Sequence, residues 1–335
     1  MKRIGGLPAD RFYMERIIFD AHCDTIYELR ERGTRLRSND LCVDLTRIGD
    51  YDGYIQVFAA YIDRERIKKR PFGDCVDAFK ECDNLLGLYY AEAEKNADML
   101  ATCADFGGIL NALGEKKTAG ILAIEGADAL EGELSNLNYF YDRGVRLITL
   151  TWNHDNEISG SIAGDTGAGL TDFGREVVCS MFKMGIIVDV SHISKRGFWD
   201  VYELAKKYNK PFVASHSNAY SICAHPRNLD DEQIEAIVET GGCIGINFYA
   251  DFLSEKGEAG VDDILKHMEH MIKLGAERNI GFGTDFDGMS RTPSGVPGVQ
   301  SMGAVIARME KRGFSQEFVE NISYYNFLNC FRKIL

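Results

Sequence analysis

Eight short apolar segments, separated by stretches of helical periodicity, constrain the fold of this 335-residue chain more than any other feature. The segments are 16–23, 54–61, 119–125, 145–151, 186–191, 212–215, 242–248 and 280–284. Most are continuous apolar runs, which is typical of parallel strands buried on both faces. The alternation of eight strands with helices predicts an α/β fold of the (β/α)8 TIM-barrel type. A doubly wound open sheet is the alternative.

Helical patterns follow most of these segments, over 76–102, 172–184, 232–240 and 262–277. Thr171, and either Asp230 or Asp231, are expected N-caps because their side chains can accept hydrogen bonds from free helix amides. Gly185 and Gly241 stand where a helix commonly ends in a left-handed residue. No Pro-rich or Ser-rich linker divides the chain, so we expect a single domain over residues 1–335.

Charge and cysteine content limit the possible partners and location of the protein. There are 38 Lys and Arg residues against 51 Asp and Glu, and this acidic balance argues against nucleic-acid binding. The nine cysteines include no Cys-x-x-Cys pair and fit a reducing compartment. The N-terminus has no apolar core of a signal peptide, and no apolar run approaches the ~20 residues of a membrane helix. We therefore expect a cytoplasmic protein without membrane attachment.

Potential metal ligands stand at, or just after, the carboxyl ends of several of the predicted strands. They are His22, Asp24, Glu125, His192 and His216. The active site of a (β/α)8 barrel lies at the carboxyl ends of its strands, so these side chains should meet there. His22 and Asp24 are two residues apart and can share one face of a strand end. Imidazole and carboxylate groups are the ligands of zinc and related divalent ions.

Five ligands exceed the needs of one tetrahedral ion, and two ions that share a carboxylate would resolve this excess. His22 and Asp24 would hold one ion, His192 and His216 the other, and Glu125 could bridge them. The alternative for each histidine taken alone is a hydrogen-bonded core residue. Glu125 alone could likewise be an ordinary polar residue at a strand end.

Two further residues are candidates for catalysis. Asp285, in the sequence Gly-Thr-Asp-Phe-Asp-Gly, could take a proton from a metal-activated water. Asp287 competes for that role, but its glycine-bounded position favours a structural turn residue. His154 follows the fourth predicted strand and could donate a hydrogen bond to a developing oxyanion. A loop histidine that contacts the backbone is the alternative for His154.

Arg227 and Tyr249 are candidates for substrate binding. An arginine can bind a carboxylate with two hydrogen bonds, so Arg227 could hold the charged end of a substrate; otherwise it is a solvated surface group. Tyr249 could add a polar contact or could serve packing. The glycine-rich stretch 159–169 lacks the ending of a phosphate-binding loop and is predicted to be a flexible segment. His225 has no assigned role, and His267 and His270 are predicted to lie on a solvated helix face.

Nine short motifs occur in order across nearly the whole chain: DAHCDT, AIEGAD, TWNHDN, GLTDFGREVV, VDVSHIS, ASHSNAY, HPRNL, INFYA and GTDFDG. Together they resemble the membrane (renal) dipeptidase family, the M19 metallopeptidases. The resemblance implies a (β/α)8 barrel of the amidohydrolase type and a cofactor of two zinc ions. It also implies a dipeptide substrate with a free C-terminal carboxylate, including L-Xaa-D-Xaa dipeptides, and a possible homodimer.

By this resemblance the five candidate ligands hold two Zn²⁺, and the ligand that bridges them is Glu125. His154 contacts the scissile carbonyl, Arg227 receives the substrate carboxylate with Tyr249 nearby, and Asp285 transfers the proton as a metal-bridging hydroxide attacks. The alternatives are another amidohydrolase-type reaction, such as deamination or lactone hydrolysis, an isomerase, and a metal-binding barrel without catalysis.

Overall fold

The computed structural model describes residues 16–68 and 77–335; the N-terminal segment discussed above lies outside these ranges. Its strands are β1 Ile17–Cys23, β2 Gly53–Tyr61, β3 Leu100–Thr102, β4 Thr118–Glu125, β5 Val145–Thr149, β6 Ile187–Asp189, β7 Ile244–Ile246 and β8 Ile280–Phe282. All of their pairings are parallel, in the order β6-β5-β4-β2-β1-β8-β7, and β3 pairs with β4. The first strand, β1, pairs with the last, β8, and isolated bridges through Val213 and Ala214 join β6 to β7, so the sheet closes as the predicted barrel does and an open doubly wound sheet does not.

The segment 212–215 closes the ring between β6 and β7, but as two isolated bridges rather than the strand predicted. Val213 bridges Asp189 of β6, and Ala214 bridges Ile244 of β7. The segment cannot extend its ladder because Pro211, just before it, has no amide hydrogen. At its other end the Ser215 amide donates to the Asp189 side chain (2.8 Å) instead of to a backbone carbonyl.

The short strand β3 is a feature that the apolar pattern did not predict. It occupies the end of the stretch 76–102, which was predicted to be one long helix. The helix instead ends at Lys95, because the Asn96 side chain turns back and donates to the Glu92 carbonyl (2.8 Å). The three residues of β3 then pair with the first residues of β4.

Helices surround the barrel. They are α1 Thr25–Arg32, α2 Leu45–Ile48, α3 Arg64–Lys68, α4 Ala78–Lys95, α5 Phe106–Gly114, α6 Leu134–Asp142, α7 Asp172–Met184, α8 Lys195–Tyr208, α9 Asp231–Thr240, α10 Ala250–Leu253, α11 Val261–Lys273, α12 Met302–Arg312, α13 Gln316–Glu320 and α14 Asn326–Arg332. The predicted caps are confirmed: Thr171 accepts from the Gly174 amide (2.9 Å), and Asp230 precedes α9. Gly185 and Gly241 end their helices with φ of 78° and 74°.

Two apolar clusters position the site at one end of the barrel. The larger cluster fills the layer between strands and helices. The smaller one fills the barrel interior and is continued by α14, whose Phe327 and Phe331 rings lie 5.3 Å and 4.9 Å from the ring of Phe19. Since α14 packs on this end of the interior, polar side chains gather at the other, where the strands end. Within residues 16–68 and 77–335, no helix is long and apolar enough to span a membrane.

Candidate active site

The five predicted metal ligands converge at the carboxyl end of the barrel, with Glu125 at their centre. His22 Nε2 lies 3.5 Å from Asp24 Oδ2 and 3.5 Å from Glu125 Oε2. The other oxygen of Glu125, Oε1, lies 3.1 Å from His192 Nε2 and 3.5 Å from His216 Nε2. Glu125 therefore presents one oxygen to each side of the cluster, as a bridging carboxylate would.

A register shift in β1 places His22 in this cluster. Asp20 pairs with Gln56, but Cys23 pairs with Phe58, so β1 contains one extra residue over this stretch. Without the shift, strict alternation from Phe19, which lies in the interior cluster, would turn Cys23 inward and His22 outward. Such bulges commonly re-aim a side chain next to an active site. Here the bulge turns both His22 and Asp24 toward Glu125.

Hydrogen bonds fix the ring orientation of two of the histidines. His192 Nδ1 lies 2.9 Å from Asn153 Oδ1, which can only accept, so the His192 proton is on Nδ1. His216 Nδ1 lies 2.8 Å from Ser215 Oγ, whose hydroxyl donates to Asp189 Oδ2 (2.6 Å). The Nε2 atoms of both rings are then unprotonated, and they lie 2.9 Å apart. Two such lone pairs face each other favourably only with a cation between them.

The chemistry of the donor set fits divalent cations. His22 Nε2 and Asp24 Oδ1 are buried and have no hydrogen-bond partner within the described parts of the chain. Burial, and next the Glu125 carboxylate nearby, raise the pKa of Asp24 to about 8, and burial raises that of Asp285 to about 6. Carboxylates crowded in this way gain from a positive ion. Two groups of these side chains lie close enough to hold an ion, His22 with Glu125 and His216, and His22 with Asp24 and Asp285; because both include His22, they overlap and do not by themselves define two separate sites.

Asp285 is held beside the cluster of candidate metal ligands. Its Oδ2 accepts from Asn247 Nδ2 (2.9 Å), and its amide donates to the His22 carbonyl (3.2 Å). A methyl group added to Gly288 would overlap the carboxylate oxygens of both Asp24 and Asp285, so this position requires a glycine. Asp287 points elsewhere and accepts from Thr25 Oγ1 (2.6 Å) and from a backbone amide, which accounts for it as a structural turn residue.

Arg227 is a buried cation next to the cluster, 7% exposed, and not the solvated surface group that was the alternative. Its Nη2 donates to the His216 carbonyl (3.2 Å), while Nε finds no partner in the described residues. No carboxylate of these residues lies within 4.0 Å of its guanidinium. Burial lowers the pKa of Arg227 to about 10, so it stays charged at neutral pH. A buried and unpaired charge is costly unless a partner binds it.

The structure leaves Tyr249 and His154 outside the cluster of candidate metal ligands. The half-buried Tyr249 places its hydroxyl 3.1 Å from Ser290 Oγ, and its ring packs on Phe252. His154 is exposed, and its ring packs edge-on against Trp152 at 5.5 Å. Trp152 in turn lies 6.4 Å from the ring of His192. Both predicted residues therefore lie at the rim of the site.

One expectation from the sequence was wrong, the solvated helix face for His267. His267 is fully buried and not on a solvated face, because its Nδ1 accepts from the Ala219 amide (3.1 Å) and its Nε2 donates to the Leu253 carbonyl (3.2 Å). The same helix does expose part of His270, which pairs with Asp231. In the glycine-rich stretch 159–169, which the sequence predicts to be flexible, the amides of Ser161 and Thr166 donate to Asp155 (2.7 Å and 3.0 Å).

Sequence reasoning missed the polar residues that support the ligands. They are Asp20, Asn153, Asp189, Ser215 and Asn247. A signal was present for two of them, because an aspartate inside a buried apolar strand needs partners there. Asp20 and Asp189 each precede a predicted ligand by two or three residues and are 0% exposed.

This chain is similar in sequence to a known family and to several known proteins. A model of the family described as membrane dipeptidase, peptidase family M19, matches residues 8–335. An uncharacterized dipeptidase of Schizosaccharomyces pombe is 34% identical over 224 residues, which cover 65% of this chain and 53% of the relative. An uncharacterized protein from the pqqA 5′ region of Klebsiella pneumoniae is 32% identical over 249 residues, 71% of this chain and 90% of that protein. The match thus spans about half the length of the yeast relative.

A solved structure gives the same result for the fold. A metallopeptidase from Rhodobacter sphaeroides, determined with a phosphinate mimic of the dipeptide L-Ala-D-Ala, superposes with a TM-score of 0.84 at 26% identity. The superposition covers 96% of this chain and 100% of that one. The similarity in fold therefore extends over nearly the whole chain.

Proposed function

The chain belongs to the membrane dipeptidase family, peptidase family M19, and from this we propose that it is a zinc-dependent dipeptidase acting on dipeptides with a free C-terminal carboxylate. One observation carries the proposal: a cluster of His22, Glu125 and His216 lies next to the buried, unpaired guanidinium of Arg227. A peptidase of short substrates needs both parts. The first activates water, and the second recognises the end of the peptide.

Five residues would hold two zinc ions in this proposal. His22 and Asp24 would bind one ion, His192 and His216 the other, and Glu125 would bridge them. When bound, the ions would lower the pKa of a water molecule toward ~7 and polarise the scissile carbonyl. The orientation of His192 and His216 is suited to metal binding, because the unprotonated Nε2 atom of each ring points into the site.

Arg227 would set the orientation of the substrate. Its side chain reaches the cluster from the loop after the segment 212–215, and Tyr249 follows the neighbouring strand β7. On the other side of the barrel mouth lie Tyr61, the last residue of β2, and Trp152, just after β5. Their ring centroids are 4.9 Å apart. A dipeptide whose carboxylate binds Arg227 and whose amide reaches Glu125 would therefore direct its N-terminal residue toward Tyr61 and Trp152.

Asp285 would move the proton. Its Oδ2 is held by Asn247, and no described residue donates a hydrogen bond to Oδ1. Oδ1 would accept a proton from the attacking water and deliver it to the leaving amine, as a general base and then a general acid. His154, exposed on the rim beside Trp152, would donate to the developing oxyanion.

The stereochemistry of the proposed substrate draws support from the Rhodobacter sphaeroides relative. That protein was solved with a mimic of L-Ala-D-Ala, and its fold matches this one over nearly the whole chain. We include L-Xaa-D-Xaa dipeptides among the substrates on this basis. Arg227 binds the carboxylate and not the side chain, so its contact is compatible with either configuration at the C-terminal residue.

The test combines metal analysis with hydrolysis by the purified protein. L-Ala-D-Ala, L-Ala-L-Ala and L-Ala-D-Ala amide would be assayed beside cytosine, adenine and a simple lactone. We expect two zinc ions per chain, cleavage of the L,D dipeptide, and at least a ~10-fold lower kcat/KM for its amide, since a charged hydrogen-bonded contact is lost. A metal-loaded protein that converts a nucleobase or a lactone but no dipeptide would contradict the proposal.

A further inference from the structure

Two aspartates occupy equivalent places where neighbouring strands of the barrel meet. Asp189 of β6 bridges Val213, and Asp20 of β1 bridges Phe282 of β8. At each of these two joins between neighbouring strands, few residues of one strand pair with residues of the other. In both cases the aspartate side chain reaches across to a hydroxyl residue two positions beyond its bridge partner, which is Ser215 in the first join and Thr284 in the second.

Three hydrogen bonds at each aspartate correspond between the two places, and Asp189 Oδ2 has one more, from Thr149 Oγ1 (2.6 Å). Asp189 Oδ1 accepts from the amides of Ser191 (3.0 Å) and Ser215 (2.8 Å), and its Oδ2 accepts from Ser215 Oγ (2.6 Å). Asp20 Oδ1 accepts from the amides of His22 (3.4 Å) and Thr284 (2.8 Å), and its Oδ2 accepts from Thr284 Oγ1 (2.7 Å). We call Asp189 with Ser215 the first clamp and Asp20 with Thr284 the second clamp.

Each clamp ends immediately before a residue of the candidate site. Ser215 precedes His216, and Thr284 precedes Asp285. The carboxylates are buried in the barrel wall and replace the backbone acceptors that a regular ladder would supply. Each clamp thereby fixes the point at which the following side chain leaves the strand.

The first clamp also controls the His216 ring. The Ser215 hydroxyl has one proton, and at 2.6 Å from Asp189 Oδ2 that proton is committed to the carboxylate. Its oxygen can then only accept from His216 Nδ1, 2.8 Å away. The His216 proton must lie on Nδ1, and the Nε2 lone pair points at Glu125 and His192. Carboxylate partners of this kind set the tautomer of metal-binding histidines.

We propose that Asp189 and Ser215 are positioning residues that hold His216 in the tautomer and orientation needed to bind a metal ion. The proposal rests on the metal centre of the proposed function. It adds a chain of two hydrogen bonds that links the Asp189 carboxylate, the Ser215 hydroxyl and the His216 imidazole. It thereby assigns a role to two residues that touch neither substrate nor metal. The second clamp is its counterpart under Asp285, where no ring is present and only the backbone is fixed.

Ser215→Ala tests the proposal with the smallest change. It removes the link to His216 but keeps the Asp189 bonds to Thr149 Oγ1 and to the Ser191 and Ser215 amides. Thr149→Val is the matched control, because it removes the other hydroxyl bonded to the same carboxylate oxygen and has no bond to His216. Asp189→Asn would remove the acceptor itself, but it changes both strands and is the less selective variant.

Two measurements are made on each variant. The ¹⁵N spectrum of histidine-labelled, metal-free protein reports which nitrogen of His216 carries the proton, with the signal assigned by its loss in His216→Asn. Titration with Zn²⁺ and with Co²⁺ reports the affinity of each site. The first readout requires neither bound metal nor dipeptidase activity, so it separates failure of this proposal from failure of the proposed function.

We expect His216 to be protonated on Nδ1 alone in both wild type and Thr149→Val. The two proteins should bind the ion at His192 and His216 with affinities within about 3-fold of each other, because the hydrogen bond lost in Thr149→Val does not reach a ligand. Ser215→Ala should show a mixture of tautomers and bind that metal about 10–100-fold more weakly. An unchanged tautomer and affinity in Ser215→Ala would overturn the proposal. So would an equal loss of affinity in Thr149→Val, because the effect would then be general to the barrel wall.

Discussion

His192 Nε2 and His216 Nε2 lie 2.9 Å apart, while the Nδ1 atom of each ring is engaged by a hydrogen-bond partner. The partners, Asn153 and Ser215, leave the two facing nitrogens unprotonated. The protein thus holds two lone pairs at a separation that is unfavourable without positive charge between them. The energetic cost of this arrangement in the metal-free chain is recovered when an ion binds, which is how a preorganised metal site is built.

Replacing Asp285 by asparagine should remove proton transfer while leaving the site intact. Asn is isosteric, so the contact with Asn247 can be kept, but it cannot accept a proton. We expect kcat for L-Ala-D-Ala to fall about 10²–10⁴-fold, the usual contribution of a general base, with both metal ions retained. Asp287→Asn is the control, since Asp287 bonds to Thr25 and should affect stability more than kcat. Near-normal turnover in Asp285→Asn would remove this residue from the proposed role.

Replacing Arg227 by methionine should weaken recognition of the substrate carboxylate. Methionine fills similar space without the charge, so KM for a free dipeptide should rise about 10–100-fold, which corresponds to loss of a charged hydrogen-bonded contact. The dipeptide amide lacks the carboxylate and should be affected little. Steady-state kinetics with both substrates checks this. A KM increase of equal size for the amide would show that Arg227 acts on the site and not on the carboxylate.

Replacing Gly288 by alanine should disturb the metal site selectively. The added methyl overlaps the carboxylates of Asp24 and Asp285, which would have to move. We expect less than two bound zinc ions per chain and at least a ~10-fold loss of kcat, in line with the sensitivity of catalysis to small misplacements. Gly303→Ala, in α12, is the control, because its methyl meets nothing within 4 Å. Full metal content and activity in Gly288→Ala would refute the requirement for glycine.

The buried His267 should make stability depend on pH. Burial lowers the pKa of His267 from 6.5 to about 4. Because the unfolded chain takes up this proton at a higher pH than the folded one, the contribution is present above pH 6.5 and is lost as the pH falls toward 4.

Urea unfolding of metal-free wild type and His267→Gln at pH 7.5 and 5.0 measures this contribution. The advantage of wild type in free energy of unfolding should shrink by roughly 2 kcal/mol between the two pH values. A difference that stays constant across this range would contradict the assignment of a low pKa to His267.

The fold and the main candidate ligands could be predicted from the sequence, because short stretches of residues are enough to indicate them. Apolar runs mark buried parallel strands, and His22, Glu125, His192 and His216 stand where such strands end. The geometry that makes them a cluster was not accessible. The bulge in β1 depends on pairing with β2, and the burial of Arg227 and His267 depends on loops and helices packed over them. The clamps require two strands in register, which no single segment encodes.

Anomalous diffraction at the zinc edge, from crystals of the zinc-loaded protein, tests the two-ion centre most directly. We predict two anomalous peaks in each chain, one on each side of the Glu125 carboxylate, with His22 and Asp24 at the first and His192 and His216 at the second. A single peak, or peaks that do not contact Glu125, would contradict the account.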